Sequence, residues 1–196
     1  KVLPGVAALD DVRRKMIAGN WKMHKTVSEA IELAEDIVME TNGTLNEVVV
    51  FPPFTALESV ADAIDGKHVG YGAQDLHWED AGAYTGAVSG AMIADICAEY
   101  VLVGHSERRA LFGDNEAVVA KKMVAAYRNG LKPMLCVGEN LEEREAGKTA
   151  RKIAMQLRNA LRVITAEQAE SLVVAYEPVW AIGSGKAATA EDAQVV

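Results

Sequence analysis

Hydrophobic residues recur along this chain in two alternating textures. Short, continuous apolar or small runs stand at Met16–Ala18, Val48–Phe51, His68–Gly72, Val101–Gly104, Pro133–Val137 and Leu172–Tyr176. Runs that do not alternate with polar residues predict strands buried on both faces, as in a parallel sheet. Between them apolar positions return every three or four residues. Val27, Ala30, Ile31, Ala34, Ile37 and Val38 form one stripe, and Val119, Met123, Ala126 and Tyr127 a second. The second predicts a helix capped at Asp114 and ended by Asn129-Gly130. A third stripe, Ile153, Leu157, Ala160, Leu161 and Ile164, leaves Arg151, Lys152, Arg158 and Arg162 on its wet side. Shorter helices are expected at Ala56–Ile64 and Met92–Ala98. Strands alternating with helices predict an α/β fold. About six units of ~30 residues suit an open doubly wound sheet better than a closed barrel of ~250 residues.

Composition narrows the partners. With 20 Lys+Arg against 28 Asp+Glu the net charge is −8, which argues against nucleic acid or an anionic membrane surface. No apolar stretch approaches the ~18 residues of a membrane span. Two cysteines, Cys97 and Cys136, each in an apolar stretch, are expected to be reduced thiols in a cytoplasmic protein. No metal-ligand spacing and no cofactor motif occur: the glycines of Gly183–Lys186 match neither the Walker pattern nor a dinucleotide turn placed directly after a strand.

Polar residues gather at the C-terminal ends of the predicted strands, the ligand edge of parallel α/β proteins. Strand one runs into Asn20-Trp21-Lys22, strand four into His105-Ser106-Glu107-Arg108-Arg109, strand five into Cys136–Glu139 and strand six into Glu177. Lys22, His105 and Glu177 can converge there on one small molecule. Each also has a plainer reading: a solvated charge, a satisfied histidine, a partly buried carboxylate. Glu107, Arg108 and Arg109 read most simply as a local ion-pair cluster. Pro178, Val179, Trp180, Ala181, Ile182, Gly183, Ser184, Gly185 and Lys186 have the build of a lid, rigid at one end and glycine-rich in the middle, with a helix starting near Thr189.

The stretches Ala18–Met23, Val103–Arg109 and Ala175–Gly183 together resemble the signatures of the triosephosphate isomerase family, in order and in spacing, and Gly82-Ala83-Tyr84-Thr85-Gly86 resembles its dimer-forming third loop. The resemblance covers residues 14–196 and implies a TIM (β/α)₈ barrel in place of the open sheet, with about six of eight units in this chain. It implies an isomerase of triose phosphates acting in glycolysis and gluconeogenesis without a cofactor, and a homo-oligomer (dimer or tetramer) that uses Thr85. Glu177 would be the base, His105 the electrophile, and Lys22 and Asn20 the groups holding the substrate oxygens. Glu107 would orient its neighbours, and the Gly183 N–H would reach the phosphate. That enzyme is a standard illustration of a Glu base beside a neutral His. Ser184 replaces the usual Thr, a mild change. The family's last two units and their phosphate loops are not found, so the 196-residue chain is expected to need them supplied in trans. The alternative is a non-catalytic partial barrel serving assembly. Residues 1–13, through Lys1–Leu9, resemble the C-terminal tail of phosphoglycerate kinase and imply a kinase–isomerase fusion.

Overall fold

A computed structural model describes residues 15–182 and 187–196. Two sequence readings lie outside them: the kinase-like tail, and the lid positions Gly183, Ser184, Gly185 and Lys186. The chain divides into two compact units, the first ending at Tyr71 and the second running from Gly72 to Val196.

In the first unit β1 (Met16–Asn20) pairs in parallel with β2 (Glu47–Phe51), Met16 opposite Glu47 and Asn20 opposite Phe51. Residues Val48–Val50 of β2 pair with Val69–Tyr71, the opening of β3 (Val69–Ala73). Helix α1 (Val27–Glu40) starts in a capping box between Thr26 and Glu29, and α2 (Phe54–Ala63) packs beside it. The predicted periodicity closes the core: Ala30 and Ala34 of α1 and Ala56 and Val60 of α2 lie on Val48, Val50 and Val69. Alanine on the inner face of α1 lets that helix approach the sheet closely.

The second unit holds the end of β3, then β4 (Tyr100–Val103), β5 (Lys132–Val137) and β6 (Val173–Tyr176), each parallel to the next. Around them run α3 (Gly90–Asp95), α4 (Ser106–Leu111), α5 (Glu116–Arg128), α6 (Leu141–Glu145), α7 (Thr149–Leu161), α8 (Ala166–Glu170) and α9 (Ala190–Gln194). In each unit strands lie side by side in chain order. A doubly wound sheet reverses its strand order at a switch point; neither unit contains such a reversal, and the open-sheet expectation is corrected. The helices α4, α6 and α8, five or six residues each, were too short to leave a periodic stripe. Among the described residues no helix is long and apolar enough to cross a membrane.

One local expectation changes. The cap of α5 is Asn115, whose Oδ1 accepts from the backbone N–H groups of Ala117 and Val118 at 3.0 Å. Asp114 is instead buried against Lys122 at 2.7 Å and Arg108 at 3.1 Å. Asn115→Ala is therefore expected to cost about 1 kcal/mol in urea unfolding, the usual value of a lost cap, and Asp114→Ala clearly more. Cys97, at φ 56° just past α3, is exposed, while Cys136 is buried; both are free.

Candidate active site

Gly104 ends β4 at φ +72°, where a Cβ would strike Arg109 and Val119. That turn lets His105 cap α4. The Glu107 backbone N–H donates to His105 Nδ1 at 3.2 Å. An Nδ1 that accepts carries no proton, so the ring is neutral and its proton sits on Nε2. Nε2 lies 2.7 Å from Glu177 Oε1. With the ring neutral, this contact is a hydrogen bond from imidazole to carboxylate. The Glu107 carboxylate stands 3.7 Å from Nδ1.

Glu177 follows β6 directly, and its N–H donates to the Val137 carbonyl at 2.7 Å, carrying the strand ladder one residue further. Its side chain is largely buried. Ser106 holds it twice: the backbone N–H donates to Oε2 at 2.8 Å and the hydroxyl to Oε1 at 3.2 Å. The N–H of a first helical residue has no partner within its own helix, and here it serves the carboxylate. Ser106 had no role in the sequence reading; its place at the start of a helix directly after His105 was the available signal.

Gly138 bounds this region from behind. A Cβ there would collide with the Glu177 carbonyl oxygen and touch Val179. Gly138→Ala is expected to lower stability by about 2–3 kcal/mol and to cut turnover by displacing Glu177. Thermal unfolding and steady-state kinetics on one preparation check both. A cleft of about 230 Å³ opens between Ser106, Arg109, Gly138, Gln156, Glu177 and Val179. Cys136 also lines it, but burial, reinforced by the Glu177 charge, pushes its thiol well up, so it is not a nucleophile.

One more carboxylate braces the strand ends. Glu139, fully buried, accepts from Tyr176 Oη at 3.0 Å, Arg144 Nη1 at 3.2 Å and Thr149 Oγ1 at 3.3 Å. Burial pushes the Tyr176 phenol up, which keeps it a donor. Arg144 also bonds Asp192 and lays its guanidinium 4.2 Å from the Trp180 ring centre. The expected Glu107–Arg108–Arg109 cluster is corrected: Arg108 pairs with Asp75 and Asp114, and Arg109 with Glu116 at 2.7 Å. The short helix directs these arginines to carboxylates outside it.

The structure thus brings together His105, Glu107 and Glu177, and adds Ser106. Pro178, Val179, Trp180, Ala181 and Ile182 follow Glu177 in a turn where Ala181 N–H donates to the Pro178 carbonyl at 2.8 Å and Ile182 N–H to that of Val179 at 3.1 Å. Thr189 caps α9, as expected. Thr85 is exposed beside Tyr84, whose ring lies 4.2 Å from that of His77. Asn20 and Lys22 belong to the first unit, where Asn20 Oδ1 accepts from the Lys22 N–H at 2.9 Å. Lys22 sits at φ 54°, a strained backbone for a non-glycine residue and one that concentrates at functional positions.

Comparison with known proteins points one way. The family described as "Triosephosphate isomerase" matches residues 15–196. The triosephosphate isomerase of Moorella thermoacetica is 55% identical over 185 residues, 94% of this chain and 74% of that protein. That of Thermoanaerobacter pseudethanolicus is 48% identical over 94% of this chain and 75% of its own. Among solved structures, the crystal structure of triosephosphate isomerase from Bartonella henselae superposes with a TM-score of 0.78 at 37% identity, covering 86% of this chain and 69% of that one.

Proposed function

The chain belongs to the triosephosphate isomerase family, its function is the interconversion of D-glyceraldehyde 3-phosphate and dihydroxyacetone phosphate, and we propose that Glu177 and His105 carry the proton transfers. The observation behind this reading is the 2.7 Å contact between Glu177 Oε1 and His105 Nε2, at the ends of two strands of an α/β fold of the TIM-barrel class.

A proton next to a carbonyl is too weakly acidic for a carboxylate in water. A donor aimed at the oxygen where charge develops lowers that barrier, and more so where water is excluded. The substrate takes the place of the His105–Glu177 hydrogen bond. Glu177 exchanges its Ser106 bonds for the C–H proton, removes it, and returns it to the neighbouring carbon. The Nε2–H of His105 donates to the carbonyl oxygen and passes its proton there as the enediolate forms. Nε2 then takes the proton of the neighbouring hydroxyl, so the hydroxyl proton crosses between the two oxygens while Glu177 carries the C–H proton between the two carbons. The Glu107 N–H holds the imidazole in the tautomer this requires.

The remaining roles rest on the family motifs. Lys22 holds the anionic substrate and favours the enediolate, with Asn20 bonding the same oxygens. Glu107 orients its neighbours, and the segment Pro178–Lys186 closes over the substrate, with the Gly183 N–H on the phosphate. The Thr85 loop joins copies into a homo-oligomer acting in the cytoplasm. The kinase-like Lys1–Leu9 supports a fusion to phosphoglycerate kinase.

A coupled assay in both directions tests the reading. Lys22→Met is expected to raise KM and to lower kcat/KM by at least about 100-fold, the loss of a charge-assisted contact to an anion. Unchanged kinetics would remove Lys22 from the reaction.

A further inference from the structure

The outer face of α7 takes no part in this chemistry, yet the segment that carries it is charged with one sign only. Residues 146–166 contain Lys148, Arg151, Lys152, Arg158 and Arg162 and no Asp or Glu, in a protein of net charge −8. Four of these cations line one cleft of about 570 Å³, together with Glu143, Met155 and Asn159. The one carboxylate on its wall, Glu143, is engaged by Lys152 at 2.8 Å. Among the described residues no ion pair engages Lys148, Arg151 or Arg158.

Like charges at helical spacings of three, four and seven repel and weaken the helix that carries them. Glu143 also feels the charge of Lys148, so one carboxylate answers four cations on this concave surface, and Arg151 and Arg158 have no ion-pair partner among the described residues. From Lys148 to Arg158 the stripe runs ten residues, roughly 15 Å along the axis, too far for one phosphate to span. Met155 is 41% exposed in the middle of the stripe, and the arginine and lysine stems add apolar surface around it. Asn159 Nδ2 donates one of its two hydrogens to the Met155 carbonyl at 3.0 Å, which leaves the amide its second N–H and its oxygen beside them.

We propose that this cleft binds an elongated polyphosphate, its phosphates strung along Lys148, Arg151, Lys152 and Arg158. The chemistry is that of a linear phosphate chain, free or carried by a nucleoside. A nucleoside would set its base on Met155 with its edge toward Asn159.

Calorimetric titration of the full chain at low ionic strength, first with inorganic tripolyphosphate and then with ATP, tests this. The parent is expected to bind, and Arg151→Glu/Arg158→Glu to bind at least about tenfold more weakly, a difference of ~1.4 kcal/mol. Raising the salt is expected to weaken binding to the parent. Both substitutions lie on exposed positions, so turnover and circular dichroism of the variant should match the parent. Equal affinity for the two probes assigns the site to the phosphate chain, and tighter binding of ATP assigns it to a nucleoside polyphosphate. An unchanged dissociation constant in the variant would place the anion elsewhere and overturn the proposal. So would no binding of either probe, or binding only of an acidic polypeptide such as polyglutamate.

Discussion

Glu177→Gln lowers kcat for the isomerisation by about 10³-fold, the scale of a positioned general base, while KM changes little. The amide has nearly the shape of the carboxylate and can still accept from the Ser106 N–H, now 2.8 Å from Oε2. The fold and the binding surface are therefore kept. What is lost is basicity at the atom 2.7 Å from His105 Nε2. Glu177→Asp separates basicity from placement. It keeps the carboxylate but draws it back by one methylene, and a misplacement of about 1 Å costs on the order of 100-fold. Steady-state kinetics in both directions check the pair. A Gln variant as fast as the parent would remove Glu177 from the proton transfer.

Lys122→Met destabilises the chain by about 3–5 kcal/mol, the usual cost of breaking a buried ion pair from one side. Lys122 is almost fully buried and bonds Asp75 at 2.6 Å and Asp114 at 2.7 Å. Arg108 reaches the same two carboxylates at 3.0 and 3.1 Å. Two cations thus balance two anions, and Met leaves one buried carboxylate uncompensated. Burial already pushes Asp75 above the ordinary carboxylate range, against the pull of Lys122 and then Arg108; without Lys122 it rises further. A carboxyl raised by folding binds protons more readily folded than unfolded. Its contribution to stability therefore falls as pH rises from the unfolded pKa through the raised folded one. The Lys122→Met penalty should be largest near neutral pH and shrink toward pH 4. Adding Asp75→Asn should recover part of it. Urea unfolding at two pH values measures all three. A penalty under about 1 kcal/mol, or one that grows on acidification, would contradict this account of the cluster.

Much of this was legible in the residues. Each apolar run became a strand within one or two positions. Strands β2 to β5 are largely buried, as unbroken apolar runs predict, whereas Ile17 of β1 and Val174 of β6 are exposed, so the expectation of burial on both faces is corrected for those two strands. The helix boundaries at Asn129-Gly130 and Thr189 followed from cap chemistry alone. The failures have physical causes. Asp114 and Asn115 cap equally well in isolation, and what separates them is Lys122, buried eight residues on, which claims the aspartate. Arg108 and Arg109 stand beside Glu107 in sequence but point from α4 to Asp75, Asp114 and Glu116. The number of βα units suggested an open sheet because counting units says nothing of strand order. Lys22, His105 and Glu177 stood out as polar residues at strand ends, whereas Ser106 did not, since its hold on Glu177 spans 71 positions of chain. The tautomer of His105 depends on a backbone N–H that composition cannot reveal.

The central claim is that Glu177 moves the proton between the two substrate carbons. Incubating dihydroxyacetone phosphate with the protein in deuterium oxide, and following its hydroxymethyl signal by proton NMR, reads that transfer directly. The account predicts that the parent replaces one of the two hydrogens at that carbon with deuterium, and that Glu177→Gln leaves both in place on the same timescale. Exchange at the parental rate in the Gln variant would contradict it.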